Sequence, residues 1–305
     1  MPDEIAVIIT FGVNFKTYWA QRQKKVERAL DRAIPSASTK PQTLHRAMRY
    51  SLFAGGKRLR PILCLAAAET ISGKSDDALP LACAVECIHT YSLIHDDLPC
   101  MDDDDLRRGK PTSHKVFGEG IAVLAGDALL TIAFEIAASV RGWPRYSPAD
   151  VVAELARASG SRQLVGGQVV DLECEGKKIS PATLRYIHER KTAALITSSI
   201  RLGAMSANAS PKELAALTEF GSALGLAFQI IDDILDITQT SQQLGKSAGK
   251  DAKAEKATYP SILGMPKAQA EARRLTKKAM QALDPFGHRA DALRAIADYL
   301  LSRQN

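Results

Sequence analysis

Features that mark several protein classes are scarce in this chain of 305 residues. It has five cysteines, an odd count without zinc-ribbon spacing, so we do not expect a zinc module. Cys83 and Cys87 lie one helical turn apart, which we interpret as packing of small core residues. Reduced thiols are typical of the cytoplasm, and this is the location that we predict.

Long uncharged segments and linkers are also lacking. No run approaches the roughly 18 uncharged apolar residues that a membrane span requires. The apolar run Ile5–Ile9 follows Asp3 and Glu4 rather than a basic region, which is not the pattern of a signal peptide. No Pro/Gly/Ser-rich linker divides the chain, and the polar stretch 241–256 is predicted to be a loop. We therefore expect a single domain over residues 1–305.

The net charge of +6 raises the possibility of a nucleic-acid partner. However, the lysines and arginines are spread along the whole chain, and the densest charge cluster is acidic. A substrate that carries phosphates explains this pattern better than DNA does, so we expect no nucleic-acid partner.

Strand signals are almost absent, whereas apolar residues recur at helical spacing along most of the chain. Ser147, Ser180 and Ser210 each precede a proline, the pattern of an N-cap before Pro at the first helical position. These signals predict an all-α bundle. The predicted helices are 21–34, 43–54, 61–71, 78–97, 119–141, 148–174, 180–206, 211–237, 267–283 and 288–303.

The predicted helices 78–97 and 211–237 are apolar around most of their circumference, as expected of central helices. Both end in aspartates, in the segments Asp96–Asp102 and Asp232–Asp236. Two carboxylates about 4 Å apart repel by about 4 kcal/mol at an effective dielectric constant near 20. Shared divalent cations would relieve this repulsion, and oxygen-only ligands favour magnesium, which completes its octahedron with substrate phosphates. A cavity between the two helices is therefore the predicted site for a phosphate ester or diphosphate.

Helix geometry refines the two acidic segments. Asp232 and Asp236 lie about 40° apart on one helical face, with Gln229 and Asp233 on its adjoining part. Pro99 predicts that the first helix breaks, which lets Asp102 turn back towards Asp96. We interpret residues 103–105, all aspartates, as a solvated or supporting run.

Basic side chains lie where a phosphate-binding protein would need them. His89 falls close to the face of Asp96, two turns deeper, and Lys191 lies in a mostly apolar helix where it needs a counter-charge. Arginine and lysine side chains bind phosphate oxygens. The two basic clusters are Lys57-Arg58-Leu59-Arg60, after Gly55-Gly56, and Arg107-Arg108, after the first acidic segment.

As an ordered set, these motifs resemble the short-chain trans-prenyltransferases of the polyprenyl synthetase family, most closely its bacterial farnesyl diphosphate synthases. The resemblance covers nearly all of the chain. It implies a single-domain bundle of the isoprenoid synthase type with a central active-site cavity, and a homodimer. The matching segments are Gly55–Pro61, His95–Gly109, Gly167-Gln168, Lys191-Thr192, Phe228–Asp236, Gly245-Lys246 and Lys256–Pro260.

The resemblance also implies residue roles. Two to three Mg²⁺ ions, for which Mn²⁺ can substitute, would be bound by Asp96, Asp97, Asp102, Asp232 and Asp236. The allylic diphosphate would be held by Arg107, Lys191, Lys246 and Lys256. Isopentenyl diphosphate would be held by Lys57, Arg60, His89 and Arg108. The reacting centre would be lined by Thr192 and Gln229.

The implied reaction is a head-to-tail condensation of isopentenyl diphosphate with dimethylallyl and then geranyl diphosphate, which gives farnesyl diphosphate. Magnesium and cationic side chains would stabilise the departing diphosphate, so that the allylic C–O bond breaks. Tyr91 lies about 7.5 Å deeper than Asp96 along the helix, and Ser92 lies one turn below Asp96. The bulk of Tyr91 resembles a stop at fifteen carbons.

Several alternatives stay open from the sequence. A geranylgeranyl diphosphate synthase can carry the same first motif, with four residues between Asp97 and Asp102. A class I terpene cyclase or an inactive regulatory subunit is disfavoured, because both aspartate motifs and the second set of cations are intact. The C-terminal residues 302–305 lack the basic triplet that closes the site in some eukaryotic relatives, so we expect no such cap.

Overall fold

The computed structural model describes residues 9–10, 12–238 and 257–301. The predicted loop 241–256, with the candidate ligands Lys246 and Lys256, lies outside the described residues, as do most of the N-terminal apolar run and the tail 302–305.

The described residues form a helical bundle, which confirms the predicted fold class. Two short antiparallel hairpins accompany it, β1 (Ile9–Thr10) with β2 (Val13–Asn14) and β3 (Leu106–Arg107) with β4 (Lys110–Pro111). The helices are α1 (Phe15–Ala33), α2 (Gln42–Leu52), α3 (Leu59–Ser72), α4 (Leu79–Asp96), α5 (Ser113–Phe117), α6 (Glu119–Ala138), α7 (Pro148–Ser159), α8 (Leu164–Glu173), α9 (Pro181–Ile187), a π-helical segment (His188–Ala193), α10 (Ala194–Ser206), α11 (Pro211–Thr238), α12 (Tyr259–Leu263), α13 (Met265–Ala282), a 3₁₀ helix (Asp284–Ala290) and α14 (Asp291–Leu301).

The three predicted serine caps are present. Ser147 accepts a hydrogen bond from the Asp150 N–H, and the Asp150 carboxylate accepts in return from the Ser147 N–H. Ser180 caps α9 through the Thr183 N–H, and Ser210 accepts from the third residue of α11. Each cap satisfies backbone donors that the first helical turn leaves free. Local sequence therefore sets these helix starts.

Two long predicted helices differ from the structure. The prediction of one helix over 148–174 is wrong, because α7 ends at Ser159 and α8 begins at Leu164. The predicted helix 180–206 is helical throughout, but residues 188–193 adopt the wider π-helical winding. Apolar periodicity continues through both regions, and periodicity alone does not reveal a change of axis or of winding. Such π segments are frequent at functional sites.

The core surrounds α4 and α11. The α4 helix packs against α3 and α6, and α11 packs against α10 and α13. Residues of α3 and α10 contribute to both apolar clusters, so these two helices connect the surroundings of α4 with those of α11. Both aspartate segments therefore follow helices of the bundle interior, as the sequence predicts.

Among the described residues, two helices are long and apolar enough to cross a membrane by length and composition alone. They are α6, whose apolar window is 33% buried, and α11, whose window is 56% buried. Asp127 interrupts α6, and Glu219 and Asp232 interrupt α11, so neither helix is an uncharged run of about 18 residues. Core helices of bundles pass the same test, and this is how α11 is used here. The exposed side of α6 carries the apolar side chains of Val123 and Leu124 together with Asp127 and Glu135.

Candidate active site

The first aspartate segment turns back on itself after α4 ends. The Asp102 N–H donates to the Asp96 carbonyl oxygen at 2.8 Å, and the Asp104 N–H donates to the Asp97 carbonyl oxygen at 3.2 Å. These bonds close the turn that contains Pro99, so the predicted helix break is present. The backbone of Asp102 is thereby held beside that of Asp96, although the two residues are six apart in sequence.

Arg107 is the cation closest to this turn. Its guanidinium donates to the buried carboxylate of Asp97 and lies 3.1 Å from that of Asp104. Asp105 forms an exposed ion pair with Lys115. Residues 103–105 are thus not uniformly solvated, because Asp104 supports Arg107.

The electrostatics of Asp96 suit a bound cation. Burial raises the pKa of Asp96 to about 6, the neighbouring carboxylates of Asp102 and Asp97 add to the shift, and Lys191 opposes it. A divalent cation would restore the charged form, and carboxylate oxygens are the ligands that magnesium prefers. Within the described ranges, no three His, Cys, Asp or Glu side chains are already gathered as a metal-binding cluster. The five aspartates therefore stay predicted ligands, suited to ions that substrate phosphates help to hold.

The second aspartate segment divides its carboxylates between two environments. Asp233 is buried and accepts hydrogen bonds from the His188 ring at 3.0 Å and from the Tyr259 N–H at 2.9 Å. Asp232 and Asp236 are half-buried on the same helix. Asp233 thus connects α11 to the π-helical segment and to α12. The partners of Asp233 are therefore groups of the protein, although the sequence places this residue next to the face of Asp232 and Asp236.

The π-helical segment connects the two acidic segments. Thr192 donates to the Gln229 side chain on α11 at 2.6 Å, and the charge of Lys191 reaches Asp96 at the end of α4. Lys191 also donates to Asp171 on α8 at 2.6 Å. The structure therefore places Thr192 against Gln229 and Lys191 within electrostatic reach of Asp96, and all four are predicted site residues.

Two glycines explain how this segment fits between its neighbours. A Cβ atom on Gly167 of α8 would lie 2.4 Å from the Lys191 backbone nitrogen, and one on Gly225 of α11 would lie 2.7 Å from Ala193. Larger residues at either position would push the π-helical segment away. Gln168, next to Gly167, has a buried amide group with no hydrogen-bond partner among the described residues. Such a group suits a site that takes a polar ligand.

The predicted isopentenyl diphosphate residues gather at the start of α3. Arg60 lies 3.3 Å from Nε2 of His89, Lys57 is exposed, and Arg108 donates to the Gly55 carbonyl oxygen. Burial and the arginines nearby lower the pKa of His89 well below its ordinary value. The neutral ring accepts from Arg60 at Nε2 and so carries its hydrogen on Nδ1. This arrangement can bind a diphosphate through several donors.

Arg58 differs from the other cations of this cluster. It is buried and donates to Glu27 at 2.6 Å, to Glu86 at 2.7 Å and to the Leu52 carbonyl oxygen at 2.6 Å. Its donors are used within the protein, so one of the three cations in the motif after Gly56 supports the site without facing a ligand.

The candidate chain-length residues lie on α4 below Asp96. Tyr91 is 6% exposed, and its ring meets the His95 ring edge-on at 5.7 Å between centroids. Burial raises the pKa of Tyr91 to about 12. Ser92 donates to the His89 carbonyl oxygen at 3.0 Å. Of the two residues, Tyr91 has the bulk to limit a cavity.

Sequence reasoning missed the acids that pair with these functional groups. Asp171 provides the counter-charge for Lys191, which we had expected a diphosphate to supply. Glu86 and the pair of His188 with Asp233 were also missed. The only signal for Glu86 was its charge inside an apolar helix, because pairing between distant segments leaves no local pattern.

Comparison with known proteins supports the resemblance. The polyprenyl synthetase family model matches residues 41–298. The geranylgeranyl pyrophosphate synthase of Capsicum annuum chloroplasts is 52% identical over 295 residues, which cover 96% of this chain and 79% of that protein. The dimethylallyltranstransferase of Fischerella ambigua is 50% identical over 95% of this chain and 84% of its own length. Other relatives at 45–50% identity are named geranylgeranyl pyrophosphate or diphosphate synthases, and two of these names are of large subunits of heterodimeric enzymes.

A solved structure agrees with the fold. An FPP/GFPP synthase from Zymomonas mobilis superposes with a TM-score of 0.82 at 38% identity, over 94% of this chain and 99% of that chain. The similarity thus extends over the two aspartate segments and the helices that carry them.

Proposed function

The chain belongs to the polyprenyl synthetase family, and from this premise we propose that it condenses isopentenyl diphosphate with allylic diphosphates to give geranylgeranyl diphosphate. Prenyl chain elongation follows from the family and its relatives. The single observation that carries the assignment of the site is the π-helical segment, which connects Asp96 through Lys191 with Gln229 through Thr192. The segment packs against α11, which carries the second acidic segment, and the charge of its Lys191 acts on Asp96 in the first.

The chain's own residues would divide the work between two substrates. Lys191 and Arg107 lie beside the first acidic segment and would stabilise negative charge on the departing allylic diphosphate. Arg60, His89 and Lys57 would hold isopentenyl diphosphate about two helical turns below Asp96 along α4.

The bonds change in three steps. The allylic C–O bond breaks and leaves a delocalised carbocation on the substrate. The double bond of isopentenyl diphosphate attacks this cation and forms the new C–C bond. A proton then leaves the adjacent carbon, and the released diphosphate accepts it as the nearest strong base in a dry pocket. Thr192 and Gln229 would line the reacting carbons.

We propose that Mg²⁺ binds at this site through Asp96, Asp97, Asp102, Asp232 and Asp236. When bound, the ions would neutralise the diphosphate and so favour its departure. The raised pKa of Asp96 and the oxygen-only donor set support this assignment. Arg107 already balances part of the charge of Asp97.

Geranylgeranyl diphosphate is the proposed product because most relatives at 45–52% identity carry that name. Farnesyl diphosphate, our expectation from the sequence, is the second candidate. The observation in its favour is the buried ring of Tyr91, five residues before Asp96.

We also propose a homodimer, in which a second copy covers the exposed side of α6. Leu124 is 54% exposed on this helix, and its neighbour Val123 is 39% exposed. Exposed large apolar side chains that lie together can mark an interaction surface, and these two are the basis of the proposal. A single domain over residues 1–305 and a cytoplasmic location stay predictions.

One experiment tests activity and product together. The purified protein is incubated with Mg²⁺, isopentenyl diphosphate and dimethylallyl diphosphate, and the dephosphorylated products are sized by gas chromatography. We expect a twenty-carbon alcohol, while a fifteen-carbon alcohol would support the second candidate. Absence of condensation, or a cyclic hydrocarbon, would overturn the proposal. Asp232→Ala is the inactive control.

A further inference from the structure

Glu86 is a charged side chain that the proposed reaction does not use. It lies inside α4 among apolar neighbours and is 2% exposed. A carboxylate in such a place loses its hydration and requires a strong partner. Arg58 supplies that partner at 2.7 Å and is itself 2% exposed. The pair therefore connects the interior of α4 to the residue just before α3.

This pair fixes an unusual backbone conformation. Arg58 has a φ of 51° and a ψ of 37°, the left-handed region, which is unfavourable for a residue other than glycine. Its guanidinium is held by Glu86, by Glu27 and by the Leu52 carbonyl oxygen. The ion pair thus stabilises the chain reversal between Lys57 and Arg60.

Glu86 also lies beneath the neighbouring cations. On the same helix, His89 follows one turn later and contacts Arg60 at 3.3 Å. Burial lowers the pKa of Arg60 to about 10, Glu86 opposes this shift, and Arg108 adds to it. Burial also lowers the pKa of Arg108, and Glu86 opposes that shift as well. Three arginines can therefore converge because this buried carboxylate balances part of their charge.

We propose that Glu86 is a positioning residue for the isopentenyl diphosphate subsite. Through Arg58 it fixes the backbone that presents Lys57 and Arg60, and its charge allows Arg60 and Arg108 to lie close together. The inference rests on the proposed function. It adds to that function a residue that contacts no reacting atom and acts through its neighbours.

The test compares Glu86→Gln with a matched control, Glu154→Gln. Glu154 is also buried on a helix and pairs with an arginine, Arg201, at 2.9 Å, away from the two aspartate segments. We expect Glu86→Gln to raise the KM for isopentenyl diphosphate by about tenfold, equal to about 1.4 kcal/mol. The kcat and the KM for the allylic substrate should change less, and Glu154→Gln should leave all three near wild type.

A purely structural role would lower the melting temperature of both variants without this selective effect. An unchanged KM for isopentenyl diphosphate in folded Glu86→Gln overturns the inference, while wild-type turnover leaves the proposed function intact. Glu86→Asp, which keeps the charge, should recover part of the affinity. If Glu86→Gln does not fold, Arg58→Lys removes the guanidinium contacts and should produce the same selective rise in KM.

Titration calorimetry measures the binding of isopentenyl diphosphate without requiring turnover. It therefore tests the role of Glu86 separately from the proposed function. Should the wild type bind isopentenyl diphosphate without turning it over, the proposed function fails. Weaker binding by Glu86→Gln than by the wild type and Glu154→Gln then still supports the inference. Equal binding by all three proteins, or no binding by the wild type, overturns it.

Discussion

Tyr91→Ala tests which side chain limits the length of the product. Tyr91 lies on α4 about 7.5 Å below Asp96 along the helix axis, and its ring is 6% exposed. A prenyl chain that grows away from the diphosphate would pass this depth. Removing the ring should therefore lengthen the main product by at least one five-carbon unit relative to the wild type.

The expected size of the effect follows from apolar burial. Each buried CH₂ group contributes about 0.8 kcal/mol, so a further five-carbon unit gains up to about 4 kcal/mol once space is available. Truncating a buried aromatic residue to alanine costs about 3–5 kcal/mol of unfolding free energy. The variant should thus be less stable when empty, and a longer prenyl chain should recover part of that loss.

The assay sizes the dephosphorylated products of the wild type, Tyr91→Ala and Tyr91→Phe under identical conditions. Tyr91→Phe keeps the ring that meets His95 and removes only the hydroxyl, so its products should match the wild type. Circular dichroism verifies that each variant is folded. An unchanged distribution in folded Tyr91→Ala, or an equal lengthening in Tyr91→Phe, would refute the argument from ring volume.

Three further predictions concern other contacts. Asp171→Asn should lower turnover by about tenfold, because Lys191 loses the charged partner that holds it at 2.6 Å, and wild-type turnover would contradict this. Asp233→Ala should lower the unfolding free energy by about 3 kcal/mol in urea titrations. A double-mutant cycle with His188→Ala should show coupling, whereas additive losses would exclude their contact. Leu124→Glu places a charge in the proposed interface of α6 and should convert the dimer to monomers in analytical ultracentrifugation. A monomeric wild type would contradict the proposed homodimer.

Much of the fold could be predicted because its signals are local. Serine followed by proline marks helix starts by satisfying free N–H groups, and Ser147 and Ser180 cap α7 and α9 as expected. Pro99 cannot continue a helix, so the turn after Asp96 was also predictable. These features depend on residues within a few positions of each other.

Other features depend on contacts between segments that are distant in sequence. The π-helical winding at 188–193 occurs where Thr192 meets Gln229 and His188 meets Asp233. The α8 helix begins after the break that follows α7, and its Gly167 lies close to the Lys191 backbone. Apolar periodicity carries no information about such pairings, which explains why both regions were predicted as regular helices.

The sequence alone determined the family, the helical bundle and the acidic and basic residues, because each has a local pattern or a recognisable motif order. Only the tertiary structure decided how charges of the same motif divide their work. Asp233 and Arg58 are buried and hydrogen-bonded to groups from other segments, whereas Asp232 and Arg60, one or two residues away, are half-buried. The reason is that a charge leaves water only where an opposite charge meets it, and the chain path decides where that occurs.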